Sequence, residues 1–309
     1  MCRVLMYKGE PVSLDHLLYL PNNSLIRQAY QPQMLEMLSL AGFGMLAWDR
    51  DSRRSELPYV YRSTAIPLFD ANLKALARKL EVSTLVAHVR GIEHEQGAVV
   101  GPDNLHPFQF PGHALALAHN GYLAGFERMR FALLAHIEPE IARLIRGNVD
   151  SEWIYALFLS QLGDPKARAE PDEIVSAVER TLKILREVRH THGIAVSSPL
   201  NLFITDGRTV AAVRFTFDFG CFDTADVEAI RARNHAYLGA WYTKGASYAL
   251  RDGEWKMSES SRGTPSSLIV SSEPLTRDTS TWLEVPEYSA YVATDTDGTL
   301  QDGVKFLDA

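Results

Sequence analysis

The spacing of apolar positions along this chain changes period twice. The first part reads mostly as strands. Residues 2–8 alternate around the β-formers Val4 and Tyr7 and predict a strand that Gly9 and Pro11 end. Residues 13–18 predict a capped helical turn, 21–24 a loop, and 24–40 an irregular, partly helical stretch. Residues 42–48 predict a strand entered through glycines. A charged turn over 49–55 and a returning strand over 59–62 complete a hairpin. Leu73, Leu76 and Leu80 recur at helical spacing, so 70–80 predicts a helix. Residues 83–90 are a strand with an apolar centre. A loop rich in glycine and charge follows over 91–110. The next strand, 114–119, is stopped by Asn120-Gly121, a pair suited to positive φ.

Helical spacing then takes over at 126–136, 139–145, 151–162 and 171–189. Past Pro199 the pattern returns to β, with strands at 200–205, 209–216, 235–241, 247–251 and 267–270. The last strands fall near Leu283, at 288–293 and at 304–307. The polar stretch 252–267 predicts a long surface loop. Strands, then helices, then strands point to an α+β chain in which two sheets pack face to face with helices outside, an α/β/β/α layering. No linker is long or polar enough to demand a second domain, so residues 1–309 are expected to form one.

Composition narrows the class without naming a function. Hydrophobic residues make up 46% of the 309, enough for a sizeable core. A net charge of −7 gives no electrostatic reason to expect nucleic acid or an anionic membrane as partner. No apolar run reaches the length of a membrane span. The start, M-C-R-V-L-M-Y-K-G, lacks the apolar region and cleavage site of a signal peptide. The two cysteines, Cys2 and Cys221, make no disulfide framework, which fits a reducing compartment. A cytoplasmic protein is expected.

The candidate chemistry begins at Cys2. Cysteine is small, so an initiator methionine before it is readily removed. Removal of Met1 would leave a thiol nucleophile and a free α-amine base on one residue. Cys2 also reads as an ordinary buried cysteine of a first strand. Arg90, in V-A-H-V-R-G, stands at a strand end, where its guanidinium can pair with a carboxylate or simply face water. Asn120 and Gly121, in A-H-N-G-Y-L, are either a turn or an oxyanion hole made of a side-chain and a backbone N–H. Asp150, in N-V-D-S-E-W, is either a helix cap or a carboxylate that receives an ammonium.

Taken in order, Cys2, A-H-V-R, N-L-H-P-F (residues 104–108), A-H-N-G-Y-L and V-D-S-E resemble the class II glutamine amidotransferases, which are amino-terminal nucleophile hydrolases. P-N-N-S-L-I-R-Q-A-Y-Q-P and A-G-F-G-M-L-A-W are similar to stand-alone members, such as the ergothioneine-pathway γ-glutamyl hydrolases and the glutathione-degradation amidotransferase. The motifs lie in residues 2–152, and the second half carries none. The resemblance implies the four-layer fold of that superfamily. It implies Cys2 as nucleophile and Asn120 with Gly121 as oxyanion hole. Arg90 and Asp150 would hold the α-carboxylate and α-ammonium of a γ-glutamyl substrate, with His106 supporting the site. The reaction implied is cleavage of a γ-glutamyl amide through a thioester.

One feature departs from the family. After Arg90 the loop G-I-E-H-E-Q-G is longer and brings Glu93 and Glu95 near the carboxylate end of the pocket. Histidines at 88, 94, 106, 113 and 119 raise a metal hydrolase, but their spacings match no H-E-x-x-H signature. No G-x-G-x-x-G follows a strand. Neither metal nor cofactor is expected. Two other roles fit the same motifs: a glutaminase subunit that feeds ammonia to a separate synthetase or serves a peptidase subunit, and a non-catalytic γ-glutamyl-binding protein.

Overall fold

The computed structural model describes residues 2–34, 38–91, 101–222, 224–228, 230, 239–260 and 263–309. Met1, Glu93, His94 and Glu95 lie outside the described residues. In chain order the strands are β1 (Arg3–Ser13), β2 (Phe43–Trp48), β3 (Tyr59–Ser63), β4 (Glu81–Val89), β5 (Ala116–Gly121), β6 (Ser198–Thr205), β7 (Thr209–Arg214), β8 (Thr216–Phe217), β9 (Trp241–Gly245), β10 (Tyr248–Arg251), β11 (Glu254–Met257), β12 (Ser267–Ser271), β13 (Leu283–Glu284), β14 (Ser289–Thr296) and β15 (Thr299–Phe306). The helices are α1 (Asp15–Leu18), α2 (Leu25–Gln28), α3 (Ala71–Ala77), α4 (Phe126–Leu133), α5 (Pro139–Ala142), α6 (Asp150–Leu159) and α7 (Pro171–Thr191). None of the described helices is long and apolar enough to cross a membrane.

Two antiparallel sheets carry the fold. The first runs β13-β9-β12-β1-β4-β2-β3. The second runs β15-β14-β7-β6-β5, with β8 beside β6. Three apolar clusters show how they stack. Val4, Met6, Leu46 and Val86 of the first sheet meet Ala116, Ala118, Phe203 and Ala212 of the second. Leu5, Tyr7, Leu85 and Ala87 turn the other way, onto α1, α2 and α3. Leu117, Leu202 and Ile204 turn onto α4, α6 and α7. The layers are therefore α/β/β/α, as the pattern predicts. Strand residues alternate between faces, so Val4 and Met6 of β1, Leu46 and Trp48 of β2, Val86 of β4 and Ala116 and Ala118 of β5 point between the sheets.

Local chemistry sets the helix ends. Asp70 caps α3, accepting the Leu73 N–H at 3.1 Å. The helix α7 opens on Pro171 with Asp172 and Glu173 in its first turn, and Arg189 and His190 fill its last. Its buried residues, Ile174, Val178, Thr181, Leu182, Leu185 and Val188, recur at helical spacing on one face.

Four expectations are corrected. The first strand does not end at Gly9. It continues to Ser13 through a shift of register between Lys8 and Val12, a bulge that takes in Gly9 and Pro11. Asn120 and Gly121 are not a turn after a strand. They are the last two residues of β5, paired with Asn201 and Leu200. The polar stretch after Arg251 is not all loop. Asp252 and Gly253, both at positive φ, make a two-residue turn between β10 and β11. The strand expected at 235–241 is found at Trp241–Gly245, and 235–238 lie outside the described residues.

One glycine gives the site its room. Gly44 pairs with His88 across β2 and β4. A Cβ on Gly44 would stand 2.1 Å from the carbonyl oxygen of His106, closer than any real contact. Gly44→Ala should therefore displace the 104–108 loop and destabilise the fold by about 1–3 kcal/mol, the usual range for overpacking. A urea midpoint unchanged from the parent protein would show that the loop yields freely.

Candidate active site

The register of β1 and β4 pairs Arg3 with Val89. One step further along that ladder, Cys2 stands beside Arg90. Cys2 shares the phase of Val4 and Met6, and Arg90 that of Val86 and His88, so both side chains enter the space between the sheets. Asn120 enters from the opposite sheet, in phase with Ala116 and Ala118. The strand alternation thus gathers Cys2, His88, Arg90 and Asn120 at one end of the sandwich.

The thiol of Cys2 is buried and lies 3.7 Å from the Gly91 carbonyl oxygen. Its own carbonyl is fixed from below. Arg3, wholly buried, donates from Nη1 to the Cys2 oxygen at 3.0 Å, and its Nε lies 3.5 Å from Glu273 Oε1. Glu273 also accepts the Gln33 and Met34 N–H groups at 3.0 and 3.2 Å.

Asn120 Nδ2 donates to Ser272 Oγ at 3.1 Å, and that oxygen also accepts the Val4 N–H at 3.0 Å. One hydroxyl therefore ties the amide of Asn120 to the strand that carries Cys2. The backbone of Gly121 has a definite direction. Leu200 donates to Phe215, so even residues of β6 face β7 and its odd residues face β5. Tyr122 donating to Pro199 and the reciprocal bonds of Leu117 with Phe108 agree with this phase. The Gly121 N–H then points to the edge of β5 that β6 does not occupy. A side chain there would meet the Pro199 oxygen at 1.9 Å, and φ is +155°, so the position requires glycine.

The Arg90 guanidinium is buried, and its Nη1 has no hydrogen-bond partner among the described residues. Burial lowers its pKa, while the fields of Cys2 and Asp150 oppose that shift. Asp150 opens α6 but does not cap it. Its carboxylate accepts the Leu123 N–H at 2.6 Å and the Ser151 hydroxyl at 3.0 Å. Ser151 in turn lies 2.9 Å from His119 Nδ1, and burial lowers the pKa of His119 despite the field of Asp150.

His106 is brought against His88, which the sequence offered only as one of five scattered histidines. His106 Nδ1 lies 2.7 Å from His88 Nε2, so one proton is shared between the rings. Burial lowers the pKa of His88 to about 3, with the charge of Arg90 adding to it. Burial, then His88 itself, holds His106 well below the ordinary histidine range. Both are neutral imidazoles at neutral pH. His88 stands two residues before Arg90 on a strand, and that spacing could have found it. Arg3, Ser272 and Glu273 carried no such signal. Among the described residues, Cys2, His88 and His106 form a group whose ligand atoms all lie within 4.8 Å of one another.

The motif loops meet here. Asn104 Nδ2 donates to Asn148 Oδ1 at 2.9 Å, and the Asn148 N–H returns to Asn104 Oδ1 at 3.2 Å. Asn23 Nδ2 donates to the Pro274 oxygen at 2.6 Å, so the P-N-N-S-L stretch braces the turn that holds Ser272 and Glu273.

Comparison with known proteins bears on the family of the chain. The family model described as glutamine amidotransferases class-II matches residues 63–303. The probable glutamine amidotransferase DUG3 of Saccharomyces cerevisiae is 30% identical over 307 residues, covering 94% of this chain and 80% of its own length. A glutamine aminotransferase class-II domain protein from Silicibacter pomeroyi shares the fold at a TM-score of 0.60 and 20% identity, covering 99% of this chain and all of the other. Glutamine phosphoribosylpyrophosphate amidotransferase from B. subtilis gives 0.55 at 14% identity, with 98% of this chain matched to 49% of that one. With a family match over most of its length and a curated relative at this identity, the chain belongs to the class II glutamine amidotransferases, enzymes that act on the amide of glutamine.

Proposed function

We propose that this enzyme cleaves the γ-glutamyl amide of a small conjugate or of glutamine, with Cys2 as nucleophile. The observation that carries the reading is the buried Arg90, whose Nη1 has no hydrogen-bond partner among the described residues and which lies in the field of Cys2. A buried guanidinium with an open donor costs free energy unless an anion meets it. An α-carboxylate does so with two parallel hydrogen bonds. Asp150, within the field of Arg90, supplies the opposite charge for the α-ammonium. Together they select a free glutamyl α-carbon and place its γ-carbonyl at the thiol.

The chemistry follows from the mature chain, with Met1 removed. An ordinary α-amine has a pKa of about 7.7–8.0, so part of it is neutral near neutral pH. It takes the thiol proton as sulfur bonds to the γ-carbon. Asn120 Nδ2 and the Gly121 N–H receive the oxyanion. The amine then gives its proton to the departing nitrogen as the C–N bond breaks, leaving a thioester. Water attacks that thioester, glutamate leaves, and the thiol is restored.

Three outcomes test the reading. First, substrates with the α-amine or α-carboxylate blocked should lose on the order of 1–3 kcal/mol or more of transition-state binding, because each leaves a charged partner unpaired. Equal kcat/KM for N-acetylated and free γ-glutamyl substrates would count against Asp150. Second, Asn120→Ala should lower kcat roughly 10²–10³-fold with KM little changed. Unchanged turnover would make Asn120 a structural strand residue only.

Third, an uncleaved amino-terminal extension should silence the enzyme, since it turns the α-amine into an amide. Glutamate release should be measured on mature, tag-blocked, and blocked-then-cleaved protein. Recovery on cleavage is expected, and full activity of the blocked form would remove the amine from the mechanism. Cys2→Ala should be inactive but folded. Cys2→Ser should keep at most a trace, a hydroxyl being the weaker nucleophile.

A further inference from the structure

The group formed by Cys2, His88 and His106 exceeds what amide cleavage needs. Hydrolysis of a thioester calls for one thiol, one base and an oxyanion hole. Two fully enclosed imidazoles beside that thiol are a donor set of a different kind. The ligand atoms of the three residues lie within 4.8 Å of one another. His106 Nε2 has no hydrogen-bond partner among the described residues. His106 Nδ1 and His88 Nε2 lie 2.7 Å apart, and the His119 backbone is the further hydrogen-bonding neighbour of His88.

We infer that the mature active site binds one zinc ion reversibly, with Cys2, His88 and His106 as ligands, and that the bound ion blocks catalysis. The inference rests on the proposed exposure of the Cys2 α-amine. An amino-terminal cysteine is itself a chelate: its amine and thiolate close a five-membered ring on one metal ion. With one nitrogen from each histidine, the set becomes one sulfur and three nitrogens, a closed tetrahedral site for Zn²⁺. Tetrahedral Zn–S and Zn–N bonds place neighbouring donors about 3.3–3.6 Å apart. From the 4.8 Å that bounds the observed group, this is a contraction of at most about 1.2–1.5 Å, with the opening of the His88–His106 hydrogen bond. Thiolate and imidazole favour zinc over magnesium or calcium, which take oxygen ligands.

The exchange balances simply. The thiol proton passes to solvent, a Zn–S bond forms, and the amine lone pair that would have accepted that proton is held by the metal. Nucleophile and base are lost together. A chelator returns both.

Cobalt(II) substitutes for zinc and reports its ligands without any turnover, so the test does not depend on the substrate assignment. The mature protein should be titrated with Co²⁺ and then back-titrated with Zn²⁺. The expected spectrum has intense tetrahedral d–d bands and a thiolate-to-cobalt charge-transfer band, at one ion per chain. Cys2→Ala should lose the charge-transfer band while remaining folded. His106→Asn and His88→Asn should each weaken zinc binding at least tenfold, and a circular dichroism spectrum matched to the parent secures the comparison. The tag-blocked chain should also bind zinc at least tenfold more weakly than the mature one. Weak octahedral bands, zinc affinity unaffected by loss of either histidine in a folded variant, or equal affinity of blocked and mature chains would each overturn the four-ligand site.

Discussion

The site depends on the phase of one strand. Side chains of β1 alternate between a helix-facing and a sheet-facing side, and Cys2 reaches the other sheet only because it is in step with Val4 and Met6. A slip of one residue would turn Cys2 toward the helices and bring Arg3 into the interior of the sandwich. Two features oppose such a slip. Leu5 and Tyr7 fill the helix-facing cluster, and Val4 and Met6 the inter-sheet one, so a slip exchanges both sets. Arg3 is pinned by the Cys2 carbonyl and Glu273 on the helix-facing side. A buried ion pair is weak evidence for stability, but separating its partners is costly. Here the pair serves register, holding the strand end that carries Cys2, the proposed nucleophile.

The polar groups near Cys2 divide by how they are satisfied. Glu273 accepts backbone N–H groups, and Ser272 joins Asn120 to Val4. These bonds make a rigid frame. Arg90 Nη1 and Asn120 Oδ1, by contrast, are buried and unpartnered among the described residues. Most buried polar groups in native proteins are paired. Open ones beside a nucleophile mark where a ligand's own polar atoms complete the set. Frame and open donors come from the same few strand ends, so the frame positions the donors before any ligand arrives.

The fold was legible in the sequence wherever period was the signal. Alternation and helical spacing located both sheets and the helices α3, α4, α6 and α7. What failed was turn chemistry. Gly9 and Pro11 read as a strand end because a bulge absorbs the same residues that stop a strand. Asp252-Gly253 is a strong hairpin pair, yet the polarity around it suggested loop. Asn120-Gly121 read as a turn because both residues suit positive φ. Gly121 is required instead by the nearness of the Pro199 oxygen on the neighbouring strand. That contact crosses 78 positions of the chain and leaves no local mark. Motif order picked out Cys2, Arg90, Asn120, Asp150 and His106 as candidates. Ser272 and Glu273 were not picked out, because they act through hydrogen bonds that only the tertiary pairing of β12 with β1 creates.

The division of the site between layers limits how it can be assembled. Cys2 and Arg90 ride on the first sheet. Asn120, Gly121 and Asp150 ride on the second sheet and the helix behind it. What fixes the distance between these halves is the material between the sheets, and on the β5 side that material is small: Ala116 and Ala118 facing Val4 and Val86. Packed sheets lie about 10 Å apart when side chains interdigitate. An oxyanion donor is useful only within hydrogen-bond reach of the carbonyl that the thiol attacks. Asn120 Nδ2 reaches Ser272 Oγ at 3.1 Å, so one hydrogen bond joins the second sheet to the residue that follows β12 of the first. On the proposed reading, that bond holds the oxyanion donor against the strand end that carries Cys2.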